Sequence, residues 1–259
     1  MDEKEQSRIS RRYDYLDTLR GLALISMILY HGVWDLVYMG NVDWEWFRSD
    51  AAFIWQQSIC WTFILLSGFC WMMGKHRLKR GLIVLGAGLL TSLVTWSFTY
   101  NERVTFGILT FLGAAMLVMI PLEKVFRKIP AEAGCVFSFA FFLMTRGIND
   151  EYLGFGLAEI IRLPHGWYQK GLLMTFLGFP DEAFYSADYF SVFPWIFLFV
   201  TGYFLYRIAR NRNLLDKMAD VLPRLPLSAL GRHSLLIYLL HQPVMYLVFV
   251  LLGIIKVSG

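Results

Sequence analysis

Seven stretches of about 20 apolar residues, each bounded by charge, run through the 259-residue chain. A helix needs about 20 such residues, at about 1.5 Å of rise each, to cross roughly 30 Å of hydrocarbon. The windows lie at roughly 20–40, 51–73, 80–100, 104–122, 131–147, 188–209 and 229–255. Lipid offers no partner for backbone N–H and C=O groups, so segments of this length must be helical. With 57% hydrophobic residues, 17% charged residues and a mean hydropathy of +0.50, the chain is too apolar for a surface that meets water. The pattern predicts an all-α polytopic membrane helix bundle of about seven transmembrane helices, a single membrane domain over residues 1–259. No internal repeat or low-complexity tract interrupts it.

The first window is long, carries His31 and Asp35, and lacks a small-x-small cleavage pattern, so it is expected to stay in the mature protein rather than act as a removable signal. Cys60, Cys70 and Cys135 fall inside spans without metal-type spacing and read as apolar fillers. No metal site is expected. The net charge of +4 would point to nucleic acid in a soluble protein, but here basic residues serve at the lipid headgroups, and no nucleic-acid partner is expected. Of 24 Lys and Arg residues, 18 lie in the tail to Arg20 and in 74–80, 123–130 and 207–232. The remaining six are Arg48, Arg103, Arg146, Arg162, Lys170 and Lys256. The positive-inside rule then places the N-terminus in the cytoplasm and the C-terminus outside.

One outer connection is long, 146–187, and holds "GLLMTFLGFP", an apolar run too short to span. It fits either a surface-lying or re-entrant helix roofing a cavity, or a loop resting on the membrane. "SADYFSVFPWIF" opens the sixth window, where Ser186 or Asp188 suits a helix N-cap; an acceptor contact at Asp188 is the alternative. In "FGILTFLGAAM", Gly107 and Gly113 imply close helix packing.

Ionisable groups inside the apolar windows are the candidates for chemistry. Asp17 and Arg20, three apart in "YLDTLRG", can pair along one helix face; Arg20 suits either headgroup anchoring or anion binding. His31 lies 11 residues on, roughly 16 Å along a helix and beyond the reach of snorkelling. Asp35, one turn later on the same face, can hold the imidazole in one tautomer, as a general base requires; a polar pair gluing helices is the plainer alternative. In "LGRHSLLIYLLHQPV", His233 and His241 share a face, Tyr238 neighbours His241, and Gln242 and Pro243 follow, the proline suggesting a kink. Arg232 and His233 suit a phosphate or a headgroup. There is no Walker loop, HExxH or GxSxG, so any reaction must use the intramembrane groups.

The stretches "YLDTLRGLALISMILYHGVWDL", "FGILTFLG", "SADYFSVFPW" and "LGRHSLLIYLLHQPV" resemble, in order, the blocks of bacterial membrane proteins related to heparan-α-glucosaminide N-acetyltransferase, over about Tyr13 to Val250. Arg20, ten residues and His31 also resemble the arginine-x10-histidine motif of the wider transmembrane acyltransferase superfamily, which includes the acyltransferase-3 proteins. The resemblance implies transfer of an acetyl group from cytoplasmic acetyl-CoA to an extracytoplasmic sugar or amine, in a bacterial cytoplasmic membrane. It implies CoA at the inner helix ends, on Arg20, Arg232 and His233, and catalysis at His31. Thr110 and Ser191 stand where family members often carry histidine and proline.

The expectation is thus a membrane acetyltransferase with a central cavity, whose partners are acyl-CoA, an acceptor and membrane lipid, with a homo-oligomer compatible. Catalysis falls to His31, Asp35 and His241, and substrate contact to Asp188, Tyr238 and Gln242. The rival is a proton-coupled small-solute transporter using the same groups as a relay.

Overall fold

The computed structural model describes residues 3–156, 158–215, 217 and 227–254, with side chains from residue 14 onward except at residue 100. Arg224 and Lys256, two of the basic residues counted for orientation, lie outside the described residues. Seven helices among the described residues are long and apolar enough to cross a membrane. They are 14–38 within α1 (Glu3–Tyr38), α2 (Asp50–Trp71), α3 (Arg77–Phe98), α4 (Ile108–Phe126), the span 131–150 that holds α5 (Ala131–Met144), α7 (Val192–Asn211) and α9 (Ser234–Leu251). The chain is an all-α polytopic membrane protein, as the apolar windows predict. Short elements complete it: β1 (Tyr152–Phe155), β2 (Ala158–Arg162), α6 (Leu172–Leu177) and α8 (Ser228–Arg232).

Two compact units divide the chain: residues 1–63 with 212–259, and residues 64–211. In the first unit, α1 packs on α8 and α9. Two glycines bring the backbones together: a Cβ on Gly21 would collide with the Leu227 carbonyl, and one on Gly231 with the Asp17 carbonyl. Leu24, Met27 and Ile59 form a buried cluster joined by Tyr30, Trp55, Ile237 and Tyr238. The Trp55 indole N–H donates to Ser26 Oγ at 2.8 Å, satisfying a polar group that lipid could not.

The last span departs from the predicted single helix. It breaks at His233 (φ −103°, ψ 21°) between α8 and α9, while Pro243 sits inside α9. The break lies beside Gly231, whose fit against Asp17 pins α8 to α1. A proline in a span is tolerated where neighbouring groups take up the carbonyl it frees.

In the second unit, α3 pairs with α4 and α5 with α7. Gly113 abuts Leu85 and Gly88 abuts Thr110, the close packing expected of "FGILTFLGAAM". At one end of this unit Glu123, 5% exposed, accepts from Arg77 at 2.5 Å and from Arg127 at 2.7 Å. Arg207 donates to the Phe126 and Ile129 carbonyls at 2.7 and 2.9 Å, closing the C-terminal end of α4.

The long connection at 146–187 carries structure of its own. The two strands form an antiparallel hairpin, and the apolar run yields the six-residue α6, too short to span. Gly156 supplies the left-handed turn (φ 60°). Ile148, Tyr168 and Phe179 make a small core beneath it, with the Tyr168 hydroxyl donating to the Ile148 carbonyl.

Candidate active site

The candidate site lies in the first unit, where α1 meets α9. Met245 of α9 lies near Gly32, its Sδ 3.7 Å from where a Cβ would stand, an ordinary van der Waals distance beside His31. The rings of His31 and His241 are 5.0 Å apart, centroid to centroid, at 57°. His31 is half-buried and His241 is 8% exposed. His241 is the eighth residue of the 18-residue span, close to its middle.

The two imidazoles are held differently. Nδ1 of His241 lies 2.5 Å from the Tyr238 carbonyl, one turn back on α9. A carbonyl only accepts, so Nδ1 carries the proton and Nε2 is the lone-pair nitrogen. That Nε2 is buried and has no hydrogen-bond partner among the described residues. Nδ1 of His31 instead meets the side-chain amide of Gln242, Nε2 to Nδ1 2.9 Å. The amide N–H donates, so Nδ1 accepts and the proton of His31 resides on its Nε2. A polar pair in an apolar helix is costly unless satisfied, which makes an orphaned basic nitrogen here a mark of function.

Asp35 is buried, 2% exposed, one turn beyond His31 on α1. The group that the structure places on His31 Nδ1 is Gln242, from another helix, whereas spacing along α1 puts Asp35 in that role. Tyr238 packs its ring 5.3 Å from His241, and its backbone carbonyl accepts from His241 Nδ1–H. Tyr30 stands edge-on to His31 and against Trp55, building an aromatic wall that spacing alone did not suggest.

The basic candidates are brought to carboxylates. Arg20 pairs with Asp17 at 2.5 Å, as their spacing predicts, and Arg232 pairs with Asp14 at 3.2 Å. His233 occupies the junction of α8 and α9. Among the described residues no group of three or more His, Cys, Asp or Glu could hold a metal ion.

Asp188 belongs to the second unit and does not cap its own helix. Its Oδ2 accepts from Ile108 N–H at 3.0 Å, capping α4, while Ser186 Oγ accepts from Thr105 N–H at 2.9 Å. Thr110 is buried in α4 with its hydroxyl unpartnered among the described residues, and Ser191 donates to Asn149 Oδ1 at 3.1 Å. Desolvation pushes the Asp188 carboxyl up from 3.8 to about 6, against the opposing pull of the Ile108 N–H. The folded state therefore favours the protonated form, a stabilisation complete below pH 3.8 and lost as pH rises through about 6. Asp188→Asn removes this titration. Thermal unfolding in detergent should show the stability gap between variant and native protein changing over that window and flat above about pH 7.

Seven spanning helices with two histidines set against each other inside them define a multi-pass membrane protein with an intramembrane polar site. The family model described as heparan-alpha-glucosaminide N-acetyltransferase, catalytic, matches residues 12–243. The chain belongs to that family of membrane acetyltransferases. No curated protein and no solved structure matches it. The transporter reading finds no support in these results.

Proposed function

We propose that the protein moves an acetyl group from cytoplasmic acetyl-CoA to a sugar or amine acceptor arriving from the other side of a bacterial cytoplasmic membrane, with its N-terminus in the cytoplasm. One observation carries the reading: a chain of this family sets His31 and His241 5.0 Å apart within its spans, with a buried basic nitrogen that no described residue satisfies. Acyl transfer to a hydroxyl or amine must dispose of the acceptor's proton, and an imidazole nitrogen held in one tautomer does this at neutral pH. The orphaned Nε2 thus fits an acetyl-transfer site.

Arg20, Arg232 and His233 are the groups to hold the donor's phosphates. Both arginines already hold carboxylates, so a phosphate would compete with Asp17 and Asp14 for guanidiniums whose planar donors suit either anion. Tyr238 and Gln242 are the residues proposed to contact acceptor or acyl group, and Asp35 supports the His31 end of α1. Confinement among apolar helices strengthens these polar contacts and limits loss of the thioester to water.

Purified protein incubated with radiolabelled acetyl-CoA and glucosamine is the test. Label should pass to the acceptor, and His31→Ala should lower the rate by roughly 10²-fold or more. Transfer that is unchanged in the variant would overturn the assignment of the site.

A further inference from the structure

We propose that His241, through Nε2, takes the acceptor's proton, while Gln242 acts as a positioning residue that keeps His31 a hydrogen-bond donor to the thioester carbonyl. The inference rests on the acetyltransferase reading and divides the labour inside it.

The argument is one of proton inventory. A neutral imidazole has one N–H and one lone pair, and whichever nitrogen is committed to a neighbour dictates what the other can do. In His241 the committed nitrogen is Nδ1, donating to the Tyr238 carbonyl at 2.5 Å, which leaves a lone pair on a buried and unpartnered Nε2. In His31 the committed nitrogen is again Nδ1, but it accepts, from the Gln242 amide at 2.9 Å, which leaves an N–H on Nε2. Two rings 5.0 Å apart therefore present opposite chemistry, one acceptor and one donor. An acyl-transfer centre needs that combination: a base for the attacking group and a donor for the oxygen on which charge develops. Neighbours on α9 set both states, since Tyr238 precedes His241 by three residues and Gln242 follows it.

The step balances as follows. The acceptor's oxygen or neutral amine nitrogen forms its bond to the thioester carbon as its proton passes to His241 Nε2. The carbonyl π pair moves onto oxygen, where the His31 Nε2–H meets it. Collapse of that oxyanion breaks the carbon–sulfur bond, and the departing thiolate takes the proton back from His241. The products are the acetylated acceptor and free CoA thiol.

Two measurements on the full chain in detergent test the assignment. ¹⁵N spectra of histidine-labelled protein without ligand tell protonated from unprotonated ring nitrogens, and the variants His31→Gln and His241→Gln identify the two rings among the five histidines. The expected result is a proton on Nε2 of His31 and on Nδ1 of His241. Thiol release from acetyl-CoA, with glucosamine as acceptor, is then compared across variants. Glutamine keeps an N–H donor but is no base, so His31→Gln should retain activity within about 10-fold, whereas His241→Gln should lose roughly 10²–10⁴-fold. Gln242→Glu, whose ionised carboxylate can only accept, should draw the His31 proton to Nδ1 and lower the rate by about 10² or more. A proton on His31 Nδ1 in the native protein, or His31→Gln as inactive as His241→Gln, overturns the division of roles. Absence of thiol release by native protein whose rings carry the expected protons overturns the acetyltransferase reading itself.

Discussion

Replacing His31 and His241 together by alanine should lower acetyl transfer no further than replacing His241 alone, a loss of roughly 10²–10⁴-fold in each case. The rings are 5.0 Å apart and, in the division of roles proposed, serve one acyl group in one step, so their contributions are expected to be coupled rather than independent. Initial rates of label transfer for the two single variants and the double variant, at saturating acetyl-CoA, form the necessary cycle. Losses that multiply would show two independent contributions and would refute the coupling.

Gly231→Ala should destabilise the protein by about 1–3 kcal/mol and lower activity with it. The added Cβ would run into the Asp17 carbonyl, and backbone on backbone cannot yield as a flexible side chain can. α8 would be forced off α1, and α9, which carries His241 and Gln242, begins two residues later at Ser234. Gly86→Ala is the control: nothing lies within 4 Å of its added Cβ, so its melting temperature should stay close to that of the native protein. Thermal unfolding monitored in detergent separates the two, and equal melting temperatures would refute the close-approach argument.

The seven spans are legible because their signal is length: an apolar run near 20 residues has few other destinations. Contacts within one turn were legible for the same local reason, and Asp17 and Arg20 do pair. What escaped depends on tertiary placement. The i, i+4 rule offers Asp35 to His31, but the amide that reaches Nδ1 belongs to Gln242, 211 residues away. Asp188 looks like a cap for the helix it precedes, yet it serves α4, 80 residues earlier. Pro243 draws the eye as the place for a break, while the helix yields at His233 beside a glycine whose importance lies in what faces it. The hairpin at 152–162 is short and fully exposed along its second strand, so it carries no strong alternation to read.

Several guanidiniums that read in the sequence as free charge at the helix ends are paired with carboxylates in the folded protein. Arg20, Arg77, Arg127 and Arg232 all count toward orientation, but once folded they are matched by Asp17, Glu123 and Asp14. Arg77 and Arg232 thus act as mortar, joining α3 to α4 and α8 to α1. Neutralising Glu123 should therefore leave topology intact and loosen only the completed structure.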